Sequence, residues 1–269
     1  MIHEYINHVK KATFCVMLPD LHSKFNSPSG TGFFISADGW FVTAAHVITE
    51  DGSPFGKIRS DVTSAWLEKE SHFDEADQFI TGTGCMSNEG VEYINPHLDF
   101  ALIKVDFNKN RHQEGFNHLQ GFPYLTVSRR VLAEGEDVFS FGYPLSTFNE
   151  ITSNCGEISL SPRTTSAIVS SLIDRTKTMR STKDPKIYVL DKALNYGNSG
   201  GPILASATGA VHAFCSRFQP VYVPQAHLTI PGSPTPMIMT PSLYGVVVRL
   251  ANEVILKELE RIGVKTIDS

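Results

Sequence analysis

The chain has 269 residues, 41% of them hydrophobic and 19% charged, with a formal net charge of −5. That balance excludes a disordered or fibrous chain and suits one or two globular domains with a sizeable core. The negative charge, and the lack of any lysine/arginine cluster interleaved with aromatics, argue against general nucleic-acid binding.

Residues 1–11 are polar and mixed and read as a helical turn or more; they lack the basic segment and apolar core of a secretory signal. Strand-like runs follow at Thr13–Leu18, Gly32–Ser36 and Trp40–Ala44, and the third runs into a tight turn at His46. Thr49-Glu50-Asp51-Gly52-Ser53-Pro54 is a turn-rich loop. Residues 56–95 carry acidic patches at Glu68-Lys69-Glu70 and Asp74-Glu75-Ala76-Asp77 and read as strands with a decorated, solvated loop. Phe100–Val105 is an apolar strand with Asp99 at its mouth and Asp106 at its far end. Lys109–Tyr124 is polar and reads as a linker. A second strand-rich half begins near Val127 and ends near Val248. Within it Ser140-Phe141-Gly142-Tyr143-Pro144 closes into a turn, Lys183-Asp184-Pro185 turns into the strand Ile187–Leu190, and Pro202–Ala205 is a short strand. Residues 219–242 read as a long, stiff loop with six prolines. In the tail, Leu250, Val254, Ile255, Leu259 and Ile262 recur at helical spacing. No run reaches the roughly 18 apolar residues of a membrane helix.

Three of these points carry chemistry together. Gly197-Asn198-Ser199-Gly200-Gly201-Pro202 is a tight glycine turn around a serine, Thr43-Ala44-Ala45-His46 ends an apolar strand, and Asp99 opens another. A serine hydroxyl is a weak nucleophile that needs an adjacent base and a group orienting that base. Their chain order, His46, Asp99, Ser199, is one of the three orders known for serine nucleophiles. The nucleophile also needs donors aimed at the developing oxyanion, and the backbone N–H groups of the turn Gly197, Asn198, Ser199 supply them, with Gly197 and Ser199 as the pair of choice. A carboxylate at the mouth of an apolar strand must be hydrogen-bonded to be buried, and an imidazole N–H beside Asp99 meets that need. The plain alternatives are a glycine turn with an incidental serine, a core histidine and a strand-capping aspartate. Ser199 sits in Gly-x-Ser-Gly-Gly and not in the Gly-x-Ser-x-Gly elbow of α/β-hydrolases, which disfavours an esterase of that fold.

With these residues in place the chain resembles a trypsin-like serine peptidase of the chymotrypsin fold, and within it the HtrA/Deg-like branch. The matching stretches are Ser29-Gly30-Thr31-Gly32-Phe33, Thr43–Val47, Leu98–Val105, Glu134–Val138 leading into Phe141–Pro144, Thr165–Ser170 and Gly197–Pro202, in family order from about residue 12 to about residue 255. The resemblance implies an all-β fold of two antiparallel six-stranded Greek-key β-barrels with a C-terminal helix. Residues 1–125 would form the half carrying His46 and Asp99, and residues 126–269 the half carrying Ser199, together one peptidase domain. It implies a serine endopeptidase acting on polypeptides, with no cofactor and no metal. Two departures stand out: the chain ends too soon for the PDZ module usual in the branch, and Asn198 stands where trypsin-type zymogens carry an aspartate that receives a new N-terminus. Something else must then order the oxyanion turn.

By family position Ala193 lies at the base of the primary pocket, with Leu194, Phe214, Cys215, Ser216 and Arg217 as further substrate-binding residues. Ala193 in place of an acid implies a small or medium apolar preference, and the strand Phe214–Phe218 pairs with the substrate backbone. Control by a partner protein or by homo-oligomer assembly is expected, with the turn at Gly197 misaligned in the isolated chain. The rival function is a catalytically silent trypsin-like domain that binds a peptide or protein. Cys15, Cys85, Cys155 and Cys215 show no Cys-x-x-Cys spacing; Cys15 and Cys215 read as buried thiols, and a cytoplasmic, reducing compartment fits best, with paired disulfides the alternative.

Overall fold

The computed structural model describes residues 2–19, 26–59, 66–73, 79–86, 90–112, 116–152, 155–174, 184–224 and 237–268, and gives the backbone alone for 19, 26, 66–73, 79–86, 148–152, 155–158, 218–224 and 237–243. An amphipathic helix, α1 (Ile2–Ala12), opens the chain and buries Val9 and Ala12. It is three turns long where the sequence signalled one or more. Its Tyr5 hydroxyl donates to the Ala207 carbonyl 202 residues away at 3.0 Å, so the first segment of the chain is pinned to the last half.

The first half is one antiparallel sheet of seven strands in the order β5-β4-β1-β2-β3-β7-β6. Its members are β1 (Thr13–Pro19), β2 (Asn26–Phe34), β3 (Trp40–Ala44), β4 (Trp66–Phe73), β5 (Phe79–Met86), β6 (Gly90–Asn95) and β7 (Phe100–Lys104). The expected first barrel therefore has one strand more than six, and among the described residues no pairing joins β5 to β6. The central strands β3 and β7 are apolar on both faces, as strands covered on both sides must be, and four of their five residues each are buried. β2 starts earlier than the apolar run indicates, because Asn26–Pro28 pair with Pro19–Met17 across a bulge.

In the second half β14 (Pro202–Ala205), β9 (Asp137–Gly142), β12 (Arg163–Ile173), β13 (Ile187–Leu190), β16 (Met237–Arg249) and β15 (Val211–Pro224) pair in that order, and β14 also pairs with β15. That last pairing closes a six-stranded barrel. Short strands β8 (Val127–Ser128) and β17 (Thr266–Ile267) extend it in parallel, and β10 (Thr147–Thr152) with β11 (Cys155–Ser159) form a separate hairpin.

The proline-rich loop expected at 219–242 is a correction. β15 and β16 continue as a paired hairpin out to Pro224 and Met237, with Pro220 opposite Pro241, and two register shifts accommodate the irregularity. Proline is tolerated in such an arm because edge and bulge positions need no ladder donor; residues 225–236 lie outside the described residues. The segment 109–124 is a second correction. It is polar on average, yet it plants Phe116 and Phe122 in the core; Phe122 stacks on Phe34 at 4.1 Å and meets Phe107 edge-on at 5.0 Å.

The main core runs continuously from α1 and the first sheet to Phe141, Phe214, Val248 and Leu259 of the second half, while the barrel interior holds a smaller cluster around Tyr188, Leu190, Ile203 and Val247. The C-terminal helix α2 spans Glu253–Arg261, directly after β16. Asn252 caps it by accepting from the N–H groups of Val254 and Ile255 at 3.1 Å each, a standard way to satisfy first-turn donors. The acidic run Asp74–Asp77 lies outside the described residues, as do the thiols of Cys85 and Cys155; Cys15 and Cys215 are buried thiols outside any disulfide.

Candidate active site

β3 ends at Ala44 and the chain enters a 3-10 turn, Ala45–Ile48, which carries His46. Asp99 sits on the turn into β7 with φ +52, a left-handed conformation that aspartate visits more readily than most residues. Its backbone carbonyl accepts from Ala45 N–H at 2.9 Å, so the two turns are tied before their side chains meet. Asp99 is 6% exposed, and its carboxylate collects three donors: His46 N–H at 3.0 Å, His46 Nδ1 at 2.8 Å and the Ser216 hydroxyl at 2.6 Å. A carboxylate can only accept here, so His46 Nδ1 carries the proton and Nε2 is left as the basic nitrogen facing the cleft.

Ser199 enters from the other half. It lies in the turn between Asn195 and the start of β14, where Gly197 and Gly200 have φ +93 and +85. Side chains are excluded there twice over: a Cβ on Gly197 would lie 2.5 Å from the Tyr143 carbonyl, and one on Gly200 would lie 2.1 Å from the Thr31 carbonyl. The Ser199 hydroxyl donates to the Ser216 carbonyl at 3.4 Å, a long bond, and no hydrogen bond joins it to His46 among the described residues.

The turn's donors divide cleanly. Asn198 N–H is committed to the Asn195 carbonyl at 3.1 Å and Gly200 N–H to the Cys215 carbonyl at 2.7 Å. Among the described residues the N–H groups of Gly197 and Ser199 have no acceptor. Asn198 thus drops out as an oxyanion donor, leaving the pair Gly197 and Ser199. The turn's carbonyls are held instead. Tyr196 C=O accepts from Leu145 N–H at 3.0 Å, Gly197 C=O from the Thr31 hydroxyl at 2.6 Å and Ser199 C=O from Thr31 N–H at 2.8 Å. This differs from the expectation of a misaligned turn in the isolated chain.

His46, Asp99 and Ser199 open onto one cleft of about 460 Å³, also lined by Leu145, Leu194, Tyr196, Gly197, Cys215, Ser216 and Arg217. Of the expected substrate-binding residues, Leu194, Cys215, Ser216 and Arg217 line it. Phe214 does not: it pairs with Pro202, is fully buried and packs against Phe100 at 5.7 Å. Ala193 is half-buried and outside the lining. For Phe214 the reason is its place in β15, whose cleft-facing stretch starts at Cys215 and runs through the register shift between Cys215 and Arg217. Ser216, expected only as a substrate contact, is a partner of Asp99. Burial, with Asp99 adding its charge, pushes the Cys215 thiol far up, so it stays protonated and is no rival nucleophile. Thr31 carried no role at the sequence level beyond its place in Ser29-Gly30-Thr31-Gly32-Phe33. Among the described residues no group of three or more metal-ligating side chains gathers.

The trypsin-like peptidase domain family matches residues 30–213. The chain belongs to the trypsin-like peptidase family. Among curated relatives, serine protease HTRA4 of Homo sapiens is 28% identical over 178 residues, covering 65% of this chain and 28% of the relative; the Mus musculus protein of that name is 27% identical over 187 residues, covering 69% and 29%. The chain thus spans less than a third of the relatives' length. In overall fold it resembles the serine endoprotease from Yersinia pestis, with a TM-score of 0.56 at 16% identity over 97% of this chain and 66% of the other. It also resembles an HtrA-type protease solved with a tripeptide, at TM-score 0.53 and 15% identity over 98% and 64%.

Proposed function

We propose that this chain is a serine endopeptidase in which Ser199 attacks the scissile carbonyl, His46 takes its proton and returns it to the leaving amine, and Asp99 orients His46 and stabilises the imidazolium. The observation that carries this reading is the His46 Nδ1–Asp99 Oδ2 bond of 2.8 Å in the same cleft as Ser199, beside two N–H groups without acceptors. For attack the Ser199 hydroxyl must leave the Ser216 carbonyl and donate to His46 Nε2, and contacts of this kind commonly tighten only when substrate binds. The Gly197 and Ser199 N–H groups then hold the oxyanion.

Leu194 at the cleft wall, where the one acidic lining residue, Asp99, is engaged by His46 and Ser216, favours small or medium apolar side chains in the primary pocket. Substrate arrives as an extended polypeptide beside the Ser216–Arg217 backbone, where main-chain pairing gives affinity independent of sequence. Arg217 is exposed in the cleft and adds a preference for an acid elsewhere in the substrate. A regulatory protein or self-assembly controls access, and the buried thiols of Cys15 and Cys215, outside any disulfide, fit a reducing compartment such as the cytoplasm.

The silent, peptide-binding reading draws on one observation: the Ser199 hydroxyl faces the Ser216 carbonyl and not His46. Fluorophosphonate labelling separates the two. An active site labels at Ser199 and cleaves casein, and both are lost in Ser199→Ala; a protein that neither labels nor cleaves is the silent domain.

A further inference from the structure

We infer that Thr31 is the positioning residue that holds the oxyanion turn with its N–H groups facing the cleft, a role that rests on the peptidase reading above. The turn needs such a device. Gly197 and Gly200 both have positive φ, and glycine reaches either sign of φ at little cost, so the turn's own sequence does not choose the donor-forward shape. Asn198 is neutral, so no charged N-terminus can lock it.

Thr31 meets the need from the other half of the molecule. It lies on β2, fully buried, and makes four bonds. Its hydroxyl donates to Gly197 C=O at 2.6 Å and accepts from Tyr143 N–H at 3.1 Å. Its N–H donates to Ser199 C=O at 2.8 Å, and its carbonyl accepts from the Thr43 hydroxyl at 2.8 Å. The hydroxyl is therefore a bridge. One end fixes the carbonyl that follows Gly197. The other fixes the strand end at Tyr143, two residues before Leu145, whose N–H catches the Tyr196 carbonyl at 3.0 Å. A flip of the Tyr196–Gly197 peptide would put that carbonyl where the oxyanion must sit, and the Leu145 bond prevents it. Leu145 itself is left-handed with φ +57 and 56% exposed. Such a conformation in a bulky residue persists only where neighbours over-determine it, and the Thr31–Tyr143 bond is one of those neighbours. Thr43, two residues from Ala45 in the strand that delivers His46, orients Thr31 in turn. One buried side chain thus links the histidine strand to the nucleophile turn, and burial strengthens each bond in the chain.

The test pairs Thr31→Ser with Thr31→Ala, in the full chain. Both lose the same methyl group and differ only in the hydroxyl. The readouts are kcat and KM on fluorescein-labelled casein, kinact and KI with a fluorophosphonate, and circular dichroism with a thermal melt. The serine variant is expected to stay within about threefold of wild type. The alanine variant is expected to lose about tenfold or more in kcat and kinact, up to the roughly 10²- to 10³-fold seen on deleting an oxyanion donor. KM and KI should move little, and the acid limb of the pH profile should not move, because the His46–Asp99 bond is untouched. Thr31→Val, which fills the same space without a hydroxyl, supplies the same contrast should Thr31→Ala not purify folded. Equal kcat in the serine variant and its hydroxyl-free counterpart overturns the inference. Wild type that labels at Ser199 and cleaves casein while those variants match leaves the peptidase reading standing and removes Thr31 alone; wild type that does neither removes both.

Discussion

His212 makes acid stability a sharp test of the second barrel. Its ring is fully buried on β15. Nδ1 bonds the Arg130 carbonyl at 3.1 Å and therefore carries the proton, while Nε2 has no partner. A second proton would charge a desolvated ring; burial pushes its pKa from 6.5 down to about 4, opposed by the bond to the Arg130 carbonyl and the Glu136 carboxylate and assisted by the Arg130 and Arg249 guanidinium groups. Tyr188 is the other titratable group in this cluster and is neutral throughout the acid range, its own pKa being raised by burial. A lowered histidine pKa means that the unfolded chain binds the proton more tightly, so stability is unaffected above pH 6.5 and falls as pH drops from 6.5 to about 4. Linkage with those two values gives a loss of about 2.5 kcal/mol between pH 8 and pH 4.5. The window is clean of Glu136, whose pKa is held below its ordinary 4.5 by the Arg130 hydrogen bond and whose contribution is lost only at lower pH. Urea unfolding of wild type and His212→Gln at pH 8, 6.5, 5.5 and 4.5 reads the difference. Any fixed destabilisation by the substitution cancels in the pH slope. Parallel slopes for the two proteins would refute a buried neutral His212.

Asp99→Asn should lower kcat by about 10⁴-fold, as the corresponding change does in a well-studied serine protease, with the urea midpoint little changed; His46→Ala and Ser199→Ala should each cost several orders of magnitude, and near-normal casein cleavage by Ser199→Ala would end the triad assignment. Ser216→Ala removes one of three donors to a buried carboxylate, worth about 1.5–3 kcal/mol for a charged bond; a kcat loss of about tenfold or more is expected, and an unchanged rate would make that bond incidental. Phe122→Ala deletes a buried ring stacked on Phe34 and should cost about 3–5 kcal/mol in urea unfolding, whereas a true surface linker would lose under about 0.5.

Much of the site was legible in the chain because it is built from short segments with strong local rules. A serine between glycines that need positive φ, a histidine after two alanines and an aspartate ahead of an apolar strand each announce a backbone geometry, and their order narrows the chemistry. The C-terminal helix was legible for the same reason: Ile255 and Leu259 lie one turn apart behind a capping Asn252. What escaped was set by pairing between distant strands. The register of β14 on β15 turns Phe214 into the core and Ser216 onto Asp99, and a one-residue slip would have turned both away. Polar composition hid Phe116 and Phe122, since burial depends on what a side chain meets and not on its neighbours in sequence. Prolines hid the 211–224 and 237–249 arm, because strand pairing tolerates them where no donor is required. In the sequence Thr31 stands out only as part of Ser29-Gly30-Thr31-Gly32-Phe33. Its four bonds exist only once β2 lies against the nucleophile turn 168 residues further along the chain, a proximity that local propensity cannot encode and that packing of the two halves supplies.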